Sequence, residues 1–278
     1  MPPLLTSIGS FKQNLAGGAF ASDPLAAASA DSLSILNFVD GSRAFVEEVV
    51  ASSKTNSFEL AIFGNRFGDP ILGVRVQSVF VPTLATTDKS VQWVLPKNVD
   101  IPVYRTDTLT QQVLGTAADN VDVVMQVYYE NVDGTKQRLA NWEGIVGNIE
   151  RFLAVEVTVT PGATGNYGTA VALNANDDRL VADYDYALLG YTLNQPVTSI
   201  GIKGPDTGNF RIAMPGHWDA RNTAGYFQDQ DTSRPTPHIP IINALNKTTT
   251  FLDGLSAAGA TATKVSLFFA QLRNRFLS

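Results

Sequence analysis

The stretch GIKGPDTGNFRIAMPG, residues 201–216, groups glycines with Asp206 and Asn209 as a phosphate-binding loop would. Such a loop leads into a helix N-terminus and carries the lysine of GxxxxGK[ST] or a complete GxGxxG, and neither follows here. Asp-Thr-Gly-Asn instead suits the left-handed positions of a tight hairpin, and Pro205 fixes φ at its start. The stretch therefore predicts a turn between two strands, not a nucleotide site.

The side chains that hold metals or act as nucleophiles are scarce. The 278 residues include no cysteine and two histidines, His217 and His238, both in turn-like segments. Duplicated β-barrel metalloenzymes need several histidines around each metal, and no GxSxG elbow is present for a serine nucleophile. We therefore predict solvated or packed histidines, no catalytic, cofactor-binding or metal-binding residues, and no enzyme activity.

Two pairs of carboxylates could be considered for glycoside cleavage: Asp183 with Asp185, and Glu47 with Glu48. We interpret both as surface charge. The cluster Asn174–Asp178 (NANDD), with Asp183 and Asp185, is oxygen-rich enough for a hard cation such as Ca²⁺. It lacks the EF-hand order of ligands, so a polar loop is the interpretation, and a bound cation stays open as the alternative.

Composition favours a protein that packs against neighbours. Charged residues make up 17% of the chain, below the roughly 25% of an average soluble domain. The net charge is −6 and the 20 Lys and Arg are scattered, so no direct contact with nucleic acid is expected. No run approaches the ~20 apolar residues of a membrane-spanning helix. The N-terminal segment lacks the basic start and apolar centre of a signal peptide, and we interpret it as an arm.

The elements that must position these residues are predicted to be strands. Short β-branched or aromatic runs, separated by Gly, Pro, Asn or Asp, predict an all-β chain with little helix. Helical spacing is found only at residues 43–52 and, less clearly, 24–36. The predicted strands are FELAIF (58–63), ILGVRVQSVFV (71–81), VQWVL (91–95), VDVVMQVYY (121–129), LAVEVTVT (153–160), VTSIGI (197–202) and KVSLFF (264–269).

An internal repeat organises these runs. Residues 59–76 align without gaps on residues 185–202, 126 positions later, with glycine and proline matched at Gly64/Gly190 and Pro70/Pro196. Three further segments follow in the same order: 91–96 on 210–215, 101–104 on 239–242, and 125–132 on 265–272. The sequence therefore predicts two similar β-sandwiches related by duplication.

Adjacent aromatics support an arrangement of packed units. Tyr128–Tyr129, Phe268–Phe269 and the pair Tyr184 and Tyr186 lie on predicted strands. Neighbouring residues of a strand point to opposite faces, so the first two pairs each send one ring inward and one outward. An outward ring needs cover from the sister sandwich or from another subunit, unless it is a platform for carbohydrate stacking.

The repeated patterns A[IL][FL]GxxxFxxP and P[IV]xx[VI]x[VI], at residues 61–76 and 187–202, resemble the compact double jelly-roll major capsid proteins of tailless icosahedral viruses of bacteria and archaea. The resemblance covers roughly residues 55–275. It implies an N-terminal arm (1–40) and two tandem jelly-roll sandwiches (41–160 and 161–278). It also implies homotrimers of pseudo-hexagonal outline that tile a shell with other capsid proteins. In many members a membrane underlies the coat. The expected location is the virion, after assembly in the host cytoplasm.

Under this hypothesis surfaces and not a pocket carry the function, and no cofactor is expected. A loop or tower exposed on the outer face is predicted over residues 220–238. The predicted assembly contacts are apolar residues near the two ends, which could instead pack on their own chain: Leu4, Leu5, Ile8, Phe11, Leu15, Phe20, Phe276 and Leu277.

A different class of function remains open. An extracellular two-domain β-sandwich could bind glycan or protein, with Trp142 or Trp218 stacking on a sugar, whereas Trp93 lies within a predicted strand and is expected in the core. A glycoside hydrolase or lyase on the same fold lacks a convincing carboxylate pair.

Overall fold

The computed structural model describes residues 2–12, 21–29, 44–53, 58–63, 74–77, 89–94, 102–103, 110–115, 119–195, 197–216, 224–232, 236–257 and 261–273. Within these residues the first half forms ten strands: β1 (Leu4–Lys12), β2 (Ala21–Pro24), β3 (Ala26–Ala27), β4 (Ala44–Ser53), β5 (Phe58–Phe63), β6 (Val74–Gln77), β7 (Lys89–Val94), β8 (Pro102–Val103), β9 (Thr110–Gly115) and β10 (Val121–Tyr129). Their paired strands are antiparallel and form two sheets. One has the order β3-β1-β10-β4-β7, with β8 also paired to β4, and the other β2-β9-β5-β6.

The second half forms nine strands in the described residues: β11 (Leu139–Ala140), β12 (Ile149–Val159), β13 (Val171–Ala172), β14 (Asp185–Leu193), β15 (Ser199–Lys203), β16 (Ile212–Pro215), β17 (Ile239–Asn243), β18 (Phe251–Leu255) and β19 (Thr263–Leu272). They build one sheet of order β11-β17-β14-β19-β12 and another of order β13-β18-β15-β16. Helix is confined there to α1 (Trp142–Ile145), α2 (Tyr226–Thr232) and three 3₁₀ turns at residues 146–148, 205–207 and 244–246.

Both halves are jelly rolls with the same connectivity. With the short strands β3, β8 and β11 set aside, each half has eight strands, and the two-residue β13 is one of the eight in the second half. The first, eighth, third and sixth form one sheet, and the second, seventh, fourth and fifth form the other. Two four-stranded sheets linked in this order are the double Greek key of a jelly roll. The predicted all-β class with two tandem jelly-roll sandwiches is confirmed.

The two halves also share a β-bulge. Pairing of β10 with β4 shifts so that Glu47 is the extra residue between Val46 and Glu48. Pairing of β19 with β14 shifts in the same way around Leu189. A bulge inserts one residue and increases local twist, so both sheets are bent at the same place.

The sequence alignment proposed above is wrong by one strand over most of its length. It pairs β5 with β14 and β6 with β15, whereas the sheet orders make β4 the counterpart of β14 and β5 that of β15. When the two bulges are aligned, equivalent residues of the two halves are 142 positions apart. Val46 then corresponds to Leu188, and Val127 to Phe269. Only the aligned segments on β10 and β19 were matched strand to strand. The sequences of different strands in such sheets resemble one another, because they share alternating apolar residues and turns marked by proline. This resemblance produced the false match at an offset of 126 residues.

All seven predicted strand segments contain strand, and the turn predicted at residues 204–209 is confirmed. It joins the antiparallel strands β15 and β16, with Gly208 at φ 63° and Asn209 at φ 62°. The helix predicted at residues 43–52 is wrong, because that segment is β4, buried along its whole length. A strand buried on both faces shows continuous apolar character and can be mistaken for a helix. In the segment 24–36, Pro24 and residues 26–27 are in strands, and residues 30–36 lie outside the described part.

The predicted arm and boundary also differ from the sheets. The described parts of residues 1–40 form β1, β2 and β3, and β1 lies beside β10 inside the first sandwich. Strand β12 belongs to the second sandwich, so the change of unit falls between Tyr129 and Ile149, not at residue 160. The strand LLTSIGSFK is buried from Leu4 to Ser10, where its residues are either apolar or small and polar.

Candidate functional site

The described residues bring their buried polar groups together where the two sandwiches meet. We call this contact the seam: it joins the outward face of β1, β10 and β4 to the turn at 204–211, β16, α2 and His238 of the second half. On that face Leu5, Phe45 and Tyr128 pack into the core of the second sandwich. Their strand neighbours Leu4, Val46 and Tyr129 pack into the first. The aromatic pair Tyr128–Tyr129 therefore serves both cores, as predicted for cover by the sister sandwich.

The edge of β1 is tied down by backbone contacts. The Leu5 N–H donates to Gln137 Oε1 (2.5 Å), and Gln137 Nε2 donates to the Leu5 carbonyl (2.8 Å) and to that of Thr207 (3.2 Å). The Ser7 N–H donates to the carbonyl of Arg211 (2.8 Å). The segment 204–211 thus has a structural role, because its Arg211 carbonyl accepts from β1 and its Thr207 carbonyl accepts from Gln137.

Glu47 and Glu48 lie in the middle of the seam, and the bulge allows both adjacent side chains to reach the second half. Glu47 Oε2 lies 2.8 Å from His238 Nε2, and Glu48 accepts from the Tyr226 hydroxyl. Both glutamates are almost completely buried. Their prediction as surface charge is wrong, because each has a polar partner on the other sandwich that offsets the cost of burial.

His238 is packed, as predicted, and fully buried. Its ring stacks on that of Tyr128 with centroids 5.0 Å apart. Nδ1 lies 2.7 Å from the Thr236 carbonyl, which can only accept, so Nδ1 carries a proton. The other ring nitrogen, Nε2, has Glu47 Oε2 as its partner, so both nitrogens of the ring are satisfied by the protein.

Tyrosine hydroxyls complete this polar cluster. Burial raises the pKa of Tyr191 and Tyr226 well above the ordinary value, and the charge of Glu48 raises both further. Burial also raises the pKa of Tyr128. Tyr191 donates to the Pro215 carbonyl (2.5 Å) and its ring meets Tyr226 edge to face. The hydroxyls of Tyr191 and Tyr226 stay neutral and act as hydrogen-bond donors.

A second buried cluster holds the segment between the sandwiches. Arg138 binds Asp185 (2.7 Å) and Asp206 (3.3 Å), and Asp206 also accepts from the Asn243 N–H and from Asn246. Asp185 is fully buried, so its prediction as surface charge is wrong as well. The two aspartates raise the pKa of Arg138 despite its desolvation.

The remaining chemistry candidates have protein partners. In the NANDD loop, Asp177 binds Arg179, whose hydrogen bond lowers the pKa of that carboxyl, and Asp178 pairs with Lys247. Asn176 accepts from the Thr158 N–H. Over the described residues, no three His, Asp or Glu side chains gather as a metal site would require. His217 and Trp218 lie outside the described residues.

The described part of the loop expected to be exposed, residues 220–238, is largely buried. In α2, Tyr226, Phe227 and Asp231 are buried, and α2 packs on β14 and β17. Trp142 is half-buried against the second core. Trp93 lies on β7 as predicted. No helix in the described part of the chain has the length and apolar character needed to cross a membrane.

Of the predicted assembly contacts, four are described. Leu4 and Ile8 belong to the first core and Leu5 to the second, while the Phe11 ring packs against Gly165 of the second half. In the single chain these four residues therefore pack on other parts of the same chain. Leu15, Phe20, Phe276 and Leu277 lie outside the described residues, and their role in assembly stays a prediction.

Sequence reasoning missed the seam. The available signal was the acidic pair in the apolar run VEEVV, because adjacent charges inside such a run indicate buried polar partners.

No protein-family model and no curated protein match the chain. Among solved structures it is similar to the major capsid protein P2 of bacteriophage PM2, with 9% identity, a TM-score of 0.26 and 97% of both chains covered. A protein chain of the virus-like particle of the extra small virus of the prawn Macrobrachium rosenbergii is 11% identical to this chain, with a TM-score of 0.29. The match covers 47% of this chain and 79% of that one. An archaeal virus protein with a triple jelly-roll fold is 10% identical with a TM-score of 0.22, covering 97% and 60%. All three are structures of viruses or of virus components, and at these scores the likenesses carry no argument of their own.

Proposed function

We propose that this chain is a viral coat protein whose copies assemble into pseudo-hexagonal homotrimers that tile an icosahedral shell in the virion. The observation that carries the proposal is the repetition of one strand order in both halves, with the bulge at the same position. Two similar wedges in one chain let three chains approximate six-fold packing.

The shared bulge also supports the descent of both halves from one duplicated sandwich. Bulges act as specified features of a fold, and two independent sandwiches have no reason to place one between the same two strands. The strand order and the bulge together replace the sequence match at 126 residues as the support for duplication.

The buried polar groups support a structural role without enzyme activity. Glu47, Glu48 and Asp185, the chemically suggestive carboxylates, are each bound to a partner inside the protein. They hold the two sandwiches together and are not available to a substrate. Contact with other capsid proteins or an underlying membrane remains part of the proposal through the family resemblance alone.

The test is the size of the purified protein. Size-exclusion chromatography with light scattering, followed by electron microscopy, should show trimers or larger closed particles. A glycan-binding monomer would overturn the coat proposal and favour the two-domain binding module.

A further inference from the structure

The outward faces of β1 and β12 are equivalent in the two sandwiches but have different surroundings. Gln126 on β10 and Phe268 on β19 hold the same position beside the bulge. Ser7 lies opposite Gln126 in β1, and Ala154 lies opposite Phe268 in β12. Ser7 and Ala154 are therefore structural counterparts.

Two residues earlier, the counterparts are Leu5 and Phe152. Leu5 is fully buried because the second sandwich covers it. Phe152 is 65% exposed, more than any other large apolar side chain among the described residues. The Phe152 ring is thus exposed to solvent at the position whose counterpart in the first half, Leu5, is buried in the seam.

The backbone edge shows the same contrast. Residues 156 and 158 of β12 point their N–H groups away from β19, to Asp177 and Asn176. By the alternation of an antiparallel strand, Phe152 and Ala154 point theirs to the same free edge. In β1 the equivalent N–H groups have acceptors on Gln137 and Arg211. Among the described residues, no acceptor serves those of Phe152 and Ala154.

The seam also shows which surface fits such a face. Strand β16, the last in its sheet, packs against β1 and β10. In the first sandwich β6 holds the same place at the end of its sheet. One chain therefore carries an open face on its second half and, on its first half, the counterpart of the element that covers such a face.

We propose that the outward face of β12 and β19, centred on Phe152, docks onto the β6 side of the first sandwich of a second copy of this chain. This contact between two molecules would have the same arrangement as the seam within one molecule. The inference rests on the proposed function, because the contact is the one that joins the subunits of the trimer. Three seams within chains alternate with three such contacts between chains, so the ring closes.

The first experiment compares Phe152→Glu with Leu245→Glu, a matched control at an apolar side chain 57% exposed in the 3₁₀ turn at 244–246. A buried carboxylate at the contact should weaken the trimer about tenfold or more, measured by sedimentation. Circular dichroism of both variants should match the wild type because both positions are exposed. An F152E protein that assembles like the wild type would overturn the inference.

The second experiment uses the absence of cysteine. Ala154→Cys subunits are mixed with Arg75→Cys subunits, and a short bismaleimide should join the two kinds of chain. The control replaces Ala154→Cys with Val181→Cys, because Val181 is exposed and lies outside the proposed contact. Val181→Cys and Arg75→Cys subunits should not be joined. A wild-type trimer without the 154–75 link would contradict the inference alone, whereas a monomeric wild type would contradict the proposed function too.

Discussion

At the scale of residues, the contact between Glu47 and His238 ties β4 to the segment before β17 across the seam. Replacing Glu47 with Ala leaves a fully buried imidazole nitrogen without its partner, and a buried polar group left unsatisfied costs about 1–3 kcal/mol. We expect that fall in the free energy of unfolding of E47A, measured by urea denaturation. The matched control is Glu156→Ala, because the pair of Glu156 with Lys264 is about half exposed and contributes less than about 1 kcal/mol. Equal losses in the two variants would contradict a special role for the seam.

Stability should also fall at high pH. The pKa values of Tyr191 and Tyr226 are raised by burial, so above pH of about 10 the unfolded chain loses these protons while the folded chain keeps them. The free energy of unfolding is thus unaffected below that pH and decreases above it. Urea denaturation from about pH 8 to about pH 11 should show the decrease, with a shallower slope in Tyr191→Phe. An unchanged slope would show that Tyr191 contributes nothing to it.

At the scale of elements, the turn between β15 and β16 depends on a left-handed glycine. Gly208 has φ 63°, and a Cβ there would lie 3.2 Å from Thr135 Oγ1. Gly208→Ala should therefore destabilise the protein by about 1–2 kcal/mol in thermal or urea unfolding. Gly147→Ala is the control, because it lacks a left-handed φ and a Cβ there meets nothing within 4 Å. Similar stabilities of the two variants would refute this role of the turn.

The sequence predicted elements well where one physical signal dominated. The hairpin at residues 204–209 was predictable because Pro205, Gly208 and Asn209 each favour one backbone conformation. Strand β4 was not, because Glu47 and Glu48 within an apolar run imitate a helix with an exposed stripe. Their partners, Tyr226 for Glu48 and His238 for Glu47, lie 178 and 191 residues further along the chain, and no local pattern reveals such contacts.

At the scale of the whole molecule, the seam should make the two sandwiches unfold together. Leu5 and Tyr128 of the first half belong to the core of the second, so separating the halves exposes apolar surface that both need buried. Calorimetry should show one transition whose calorimetric and van't Hoff enthalpies agree. Val124→Asp, which places a charge against Ala213 and Leu255, should split the transition in two. Two transitions in the wild type would contradict this coupling.

The segment between the sandwiches, residues 130–148, is bonded to both of them and holds them in a fixed relation. Gln137 bonds to β1 and to the turn of the second half, and the next residue, Arg138, is held by Asp185 and Asp206. A linker fixed on both sides at consecutive residues cannot serve as a hinge. In the shell that we propose for this protein, a change of curvature would therefore be taken up between molecules, while each molecule moves as a rigid body.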